Sequence, residues 1–252
     1  MTGPASAASS PADSRSDPLG ALLRLDGVPS AYAGCRDGID ALLRDRGLRR
    51  TRPEQTGESL LVGAHASAVL EGSGSSLEQA RDGAADDVAR AAVRVSAELL
   101  GLAPLLDTAP LQAFARIHTL AGAGDLPDER LGRPRDADAA GALTTLARAL
   151  TGPTEAPALL VAAVVHAEIA TGAPFGSHNG IVARAAERLV LVARGVDPTS
   201  VIVPEAGHLR LRPAYESNLR GYRDGGQAGV HAWLLYAVEA YTAGVEASPL
   251  RG

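Results

Sequence analysis

The chain alternates long apolar stretches at helical spacing with short clusters of Gly, Pro, Asp and Ser. Ala156 to Ala170 is apolar on nearly every face, interrupted only by His166 and Glu168, and predicts a helix through the middle of a helical core. Gly180 to Arg194 follows as a second strongly apolar run. The spacing predicts helices over 18–25, 30–46, 57–71, 76–101, 109–121, 138–150, 156–171, 178–194, 212–223 and 228–246. Turn signals separate them, among them Gly72 to Gly74, Gly122 to Pro127, Gly195 to Pro198 and Gly225-Gly226. The best strand candidates are Ser200 to Val203 and His208 to Leu211, both short. The expected fold class is all-α, with at most short hairpin strands and no repeat of solenoid period.

Composition narrows this picture. A chain of 252 residues can bury a full core, as one large domain or two small ones. Hydrophobic residues make up 46% but aromatics only 3%, so the core must be built from small aliphatics on close-packed helices. All 24 basic residues are arginine, which excludes a Walker-type lysine and a Schiff-base lysine. A net charge of −5 gives no general attraction to nucleic acid. Arg44, Arg46, Arg49, Arg50 and Arg52 form a local basic run that contains Asp45 and lacks aromatics, which reads as a solvated helix end. No apolar run reaches the roughly 18–20 residues that span a bilayer. Cys35 is the one cysteine, expected to be a small apolar packing residue in a reducing compartment. Residues 1–17 are rich in Ser, Ala and Pro and read as a disordered tail, not a signal peptide. The location expected is cytoplasmic.

Candidate chemistry concentrates between the two central apolar runs, in Thr171-Gly-Ala-Pro-Phe-Gly-Ser-His-Asn-Gly-Ile-Val-Ala-Arg184. Ser177 and Asn179 are good N-cap types, and a helix starting there aims unpaired N–H groups and the positive end of its dipole into the loop. Such a terminus suits a phosphate. Arg184 follows Gly180 by four residues, on the same face one turn on, and could add charge-assisted contacts.

The stretch Ala173 to Arg184 resembles, without gaps, the loop His-x-Phe-x-Asp/Glu-Gly-Asn-Gly-Arg-x-x-Arg of the Fic/Doc (Fido) family. Val164-Val-His166-Ala-Glu resembles the family's histidine-bearing helix before the loop, and Leu189 to Pro198 its apolar helix after it. Tyr215, Leu219 and Trp233 resemble residues of its closing helices, and Ile117-His118 and Leu131 to Arg135 the segment leading into its core. The resemblance covers roughly residues 30 to 240. After the tail over 1–17, it implies N-terminal helices over 18–110 that include an inhibitory-helix-like segment over 58–72, and a Fic-like core over 111–246. A second motif, Ser67-Ala-Val-Leu-Glu71-Gly72, resembles the family's inhibitory pattern Ser/Thr-x-x-x-Glu-Gly/Asn, whose glutamate pairs with the second loop arginine and obstructs productive ATP binding. Here the pair is Glu71 and Arg184, and Glu71 at a helix C-terminus should want a cation nearby.

Against the family pattern the loop has lost parts. Ala173 stands where the family has its proton-accepting histidine, and such transfer is worth roughly 10²–10⁴ in rate. Ser177 stands where the magnesium carboxylate is expected, and a neutral hydroxyl is a poor ligand for that cation. Ile181 replaces the first arginine. Phe175, Asn179, Gly180 and Arg184 remain as expected phosphate or nucleotide contacts. His178 replaces the first glycine and has three readings: a loop-packing residue, an anion contact or a relocated base. The segment 131–141 leaves little room for the hairpin flap with which family enzymes hold a target.

No set of histidines shows metal-ligand spacing. His166 and Glu168 face different sides of a helix, His208 and His231 stand alone, and His166 is expected to be a hydrogen-bonded core histidine. The resemblance therefore implies a degenerate, catalytically impaired regulatory module that binds a nucleotide, a phosphorylated ligand or a protein partner, with ATP as the candidate cofactor, Mg²⁺ disfavoured by Ser177, and an unknown protein target. It also admits a homodimer. The alternatives are an active, autoinhibited protein AMP-transferase with atypical catalytic residues, and a scaffold in which Glu71 and Arg184 survive only as an ion pair.

Overall fold

A computed structural model describes residues 17–46 and 51–251. Among them every regular element is a helix, and neither strand candidate forms a strand. Residues 200–203 are buried without regular structure, with Ser200 in the left-handed region at φ 52°, and the Val203 N–H donates to the Gly244 carbonyl at 3.2 Å. His208 to Leu211 is the end of a short helix, because Pro204 sets the first turn there.

The N-terminal part begins with a 3₁₀ turn over Gly20–Arg24, in place of the α-helix expected at 18–25. It continues with α1 (Val28–Arg46), α2 (Pro53–Leu70), α3 (Leu77–Arg81), α4 (Asp87–Glu98), α5 (Ala103–Thr108) and α6 (Pro110–Gly122). The single helix expected over 76–101 is thus two, divided at Gly83, whose φ of 74° ends the first. Each piece has its own cap: the Ser76 side chain accepts from Gln79 N–H, and Asp86 from Ala89 N–H. Arg44 is exposed near the end of α1, whereas Arg49 and Arg50, like residues 1–16, lie outside the described residues. Cys35 is buried, and burial pushes its thiol up to about 11, as suits a packing residue.

Six helices follow: α7 (Ala137–Thr151), α8 (Ala158–Gly172), α9 (Asn179–Ala193), α10 (Pro204–Arg210), α11 (Arg212–Asp224) and α12 (Gly226–Glu246). Leu159 to Ala167 is buried without a break, so α8 is the central helix that its all-round apolarity predicts. It packs along α9, while α11 and α12 close over it and Trp233 donates to the Ala163 carbonyl of α8 at 2.9 Å. On the other flank α9 is covered by α2, α4 and α6. No described helix is long and apolar enough to cross a membrane.

Candidate functional site

The loop between α8 and α9 is tightly shaped. Ala173 ends α8 in the left-handed region at φ 42°, and His178 starts α9 there at φ 60°. Neither expected N-cap, Ser177 nor Asn179, takes that position. His178 holds it with no side-chain cap, and the Asn179 amide folds back on the loop, accepting from Phe175 N–H and donating to Phe175 C=O, both at 2.9 Å. Phe175 is buried and stacked on His118, ring centroids 4.3 Å apart. Arg135 clamps the outside of the loop, its N–H donating to the Pro174 carbonyl and its guanidinium to that of Ala173. Segment 131–136 therefore lies against the loop as a short strap.

Arg184 lies one turn into α9 with 1% of its surface exposed. Its Nε donates to the Ser67 hydroxyl at 2.9 Å and its Nη2 to the Ser67 carbonyl at 3.1 Å. Nη2 also reaches the Glu71 carboxylate at 2.6 Å, and Nη1 donates to the Tyr215 hydroxyl at 3.0 Å. Ser67 and Glu71, the two residues of the α2 motif, thus both contact Arg184. The Glu71 oxygen also lies over Gly180, where a Cβ would be only 2.0 Å away. The anionic end of α2 and the N-terminal turn of α9 face each other, and Glu71 puts a carboxylate between them.

The tertiary structure assembles a second set of residues that sequence spacing missed. His166 of α8, Glu187 of α9 and His208 of α10 are fully buried, and their nitrogen and oxygen atoms gather within 4.8 Å. Glu187 Oε2 accepts from His166 Nδ1 at 2.9 Å and His208 Nε2 at 3.0 Å, and Oε1 from the Tyr241 hydroxyl at 2.9 Å. The far nitrogens meet Tyr215 and Tyr236, each at 2.9 Å. His208 is therefore not isolated, and His166 is hydrogen-bonded as expected. One signal was present: Glu187 is the lone carboxylate in the apolar run after Arg184, and a buried charge needs partners.

Hydrogen-bond direction in this cluster follows from chemistry. Arg184 can only donate, so Tyr215 accepts from it and its own proton goes to His166 Nε2. A ring nitrogen facing a carboxylate must carry its hydrogen, so His166 Nδ1 and His208 Nε2 both donate to Glu187. Those hydrogens stand where a metal ion would need lone pairs, so this donor set is hydrogen-bonded and does not fit a metal. Burial pushes His166 down to about 4, against the pull of Glu187. Burial alone would raise Glu187; the two histidines outweigh it and hold its carboxyl below the usual range.

Beside the loop, His178 and Asp125 line an open cleft of about 330 Å³ with Asp87, Arg90 and Arg94. His178 Nδ1 lies 2.7 Å from the Ser177 hydroxyl, and Nε2 lies 3.5 Å from Asp125. The arginines there are engaged: Arg94 donates to carbonyls of Leu120, Ala121 and Ala123, and Arg90 pairs with Asp87. Ser177 is the neutral hydroxyl that the sequence implies at the metal position, so the loop supplies no carboxylate fit for Mg²⁺.

The architecture is that of Fic proteins. A Fic family protein from Desulfovibrio desulfuricans G20 superposes with a TM-score of 0.71 at 17% identity, over 86% of this chain and 74% of that one. A fragment of Fic-1 from C. elegans superposes with a TM-score of 0.64, also at 17% identity, over 87% of this chain and 70% of that one. No protein-family model and no curated protein matches the chain by sequence. At such identities the likeness establishes a Fic/Fido fold, all-helical.

Proposed function

We propose that the chain is a non-catalytic Fic-like binding module whose ligand is a nucleotide or another phosphate-bearing molecule. The ligand's anionic group would sit at the first turn of α9, over Gly180 and beside Arg184. The observation that carries this reading is Glu71, whose carboxylate already lies over Gly180 and 2.6 Å from Arg184. A place that holds one anion in its resting state suits another when the first withdraws. The transfer chemistry lacks its parts: Ala173 has no proton acceptor, and the Ser177 hydroxyl is engaged with His178.

Titration of ATP into wild type and Glu71→Gly by calorimetry, with and without Mg²⁺, tests this. Affinity that rises on removing Glu71, with little dependence on Mg²⁺, supports the gated site. Absence of binding in both proteins leaves Glu71 and Arg184 as a structural ion pair and overturns the reading.

His178 supports a second reading, an autoinhibited AMP-transferase with a relocated base, because its ring lies between Ser177 and Asp125 at the cleft. Labelled AMP on protein in Glu71→Gly that disappears in Glu71→Gly/His178→Ala would favour that enzyme over the binding module.

A further inference from the structure

We infer that Tyr215, His166 and Glu187 are positioning residues that hold Arg184 in its anion-facing orientation independently of the helix that carries Glu71. The inference rests on the binding reading above and concerns how that site stays formed when Glu71 withdraws.

Arg184 has two sets of anchors. One is Ser67 and Glu71, both from α2 or its C-terminal cap. The other is Tyr215 on α11. An incoming anion must displace Glu71, and with it loosens the end of α2 to which Ser67 belongs. An arginine anchored only there would lose its orientation as its ligand arrived. Tyr215 supplies a separate anchor, through Nη1 and from α11, and is supported in turn by His166 on α8, Glu187 on α9 and His208 on α10.

The chain is directed throughout. Glu187 accepts from both rings, so His166 presents a lone pair at Nε2; Tyr215 must donate into it and turns its own oxygen lone pairs to Arg184. Reversing one link would leave a buried group without a partner. Arg184 and Glu187, three residues apart on α9, also form a buried plus-and-minus pair joined through Tyr215 and His166 without touching.

The test uses the full chain in a Glu71→Gly background, with Tyr215→Phe, His166→Leu or His166→Gln added. The glutamine amide can accept from Tyr215 and donate to Glu187, so it preserves the direction; leucine preserves only the apolar volume. Two readouts are taken: the Arg184 guanidinium signals in nitrogen-15 NMR, resolved only when rotation about the guanidinium is hindered, and ATP affinity. The expected result is resolved Arg184 signals in Glu71→Gly and with His166→Gln, and their loss with His166→Leu or Tyr215→Phe. ATP affinity should fall about tenfold in the latter two, as for one lost bond to a charged group. Nitrogen-15 spectra should also place the His166 proton on Nδ1.

Resolved Arg184 signals in every variant would overturn the inference, as would a His166 proton on Nε2 or a metal-bound His166 ring. Should His166→Leu fail to fold, Tyr215→Phe, which loses only a hydroxyl, decides alone. If no variant binds ATP but the NMR pattern holds, the binding reading falls and the positioning of Arg184 stands.

Discussion

The Glu71 carboxylate lies over Gly180 and 2.6 Å from the Arg184 guanidinium, so the N-terminal turn of α9 carries an anion supplied by the chain itself. Residues 113 apart in sequence form this contact, which couples the end of α2 to the loop. It also explains a glycine. Any side chain at 180 would occupy the position of the Glu71 oxygen.

Gly180→Ala should therefore push aside the flexible, partly exposed Glu71 side chain and cost about 1 kcal/mol through the lost contact with Arg184. In the Glu71→Gly background the same substitution should cost much less. Urea unfolding of the four proteins in a double-mutant cycle measures this coupling, and additive effects would refute the contact.

Asn179→Ala should cost about 1–3 kcal/mol, because the amide closes the loop through both backbone groups of Phe175. The Phe175 amide should then exchange faster with deuterium than in the wild type. Unchanged exchange at Phe175 would mean that the loop holds its shape without Asn179.

Stability should fall as pH drops from about 6.5 to about 4, in part through His118. Burial pushes its folded value down from 6.5 to about 4, with nearby His178 adding to the shift. The unfolded chain thus binds a proton in this window that the folded chain refuses, a loss of stability that is absent above the window. His118 Nδ1 accepts from Gly132 N–H at 2.9 Å, so the neutral ring is the form that the fold uses. His118→Gln should flatten the part of the pH profile due to this residue, as read by urea unfolding from pH 7.5 to 4.5.

Gly207→Ala should prevent α10 from seating on α12, since a Cβ there would lie 1.9 Å from the Ala240 carbonyl oxygen. Backbone atoms cannot yield as a flexible side chain can. We expect a fall in Tm well beyond that of an exposed substitution such as Gly34→Ala, whose Cβ would meet nothing within 4 Å. Equal melting temperatures for the two variants would show that α10 can shift.

The resemblance of the loop accounts for why certain residues remain. Phe175 packs on His118, Asn179 closes the loop, Gly180 makes room for Glu71, and Arg184 joins α2 to α11. All four shape the loop or its contact with Glu71. Four positions depart from the family pattern: Ala173, Ser177 and Ile181, which the resemblance assigns to proton transfer, metal and phosphate, and His178, which stands in place of a glycine. Retention of shape with loss of chemistry is what the binding reading requires.

By itself the sequence determined the helical class and the central place of α8, while the meeting of Glu71 with Arg184 was implied only by the resemblance of two motifs to a known family. Period-3.6 apolarity, caps and contiguous motifs are local properties and survive in one dimension. It misled where local pattern competes with packing. The β-branched residues Val201 to Val203 read as a strand, yet they lie as a buried irregular segment against the end of α12 after Ser200 takes a left-handed turn at φ 52°, and the turn near Gly83 divides what reads as one helix. Only the tertiary structure decided the Glu187 cluster. His166, Glu187 and His208 are each 21 residues from the next, a spacing that fits no helix or strand period, and only the packing of α8, α9 and α10 brings them together. Desolvation by that packing turns three ordinary polar residues into one directed chain, because a buried polar group must find its partner in space.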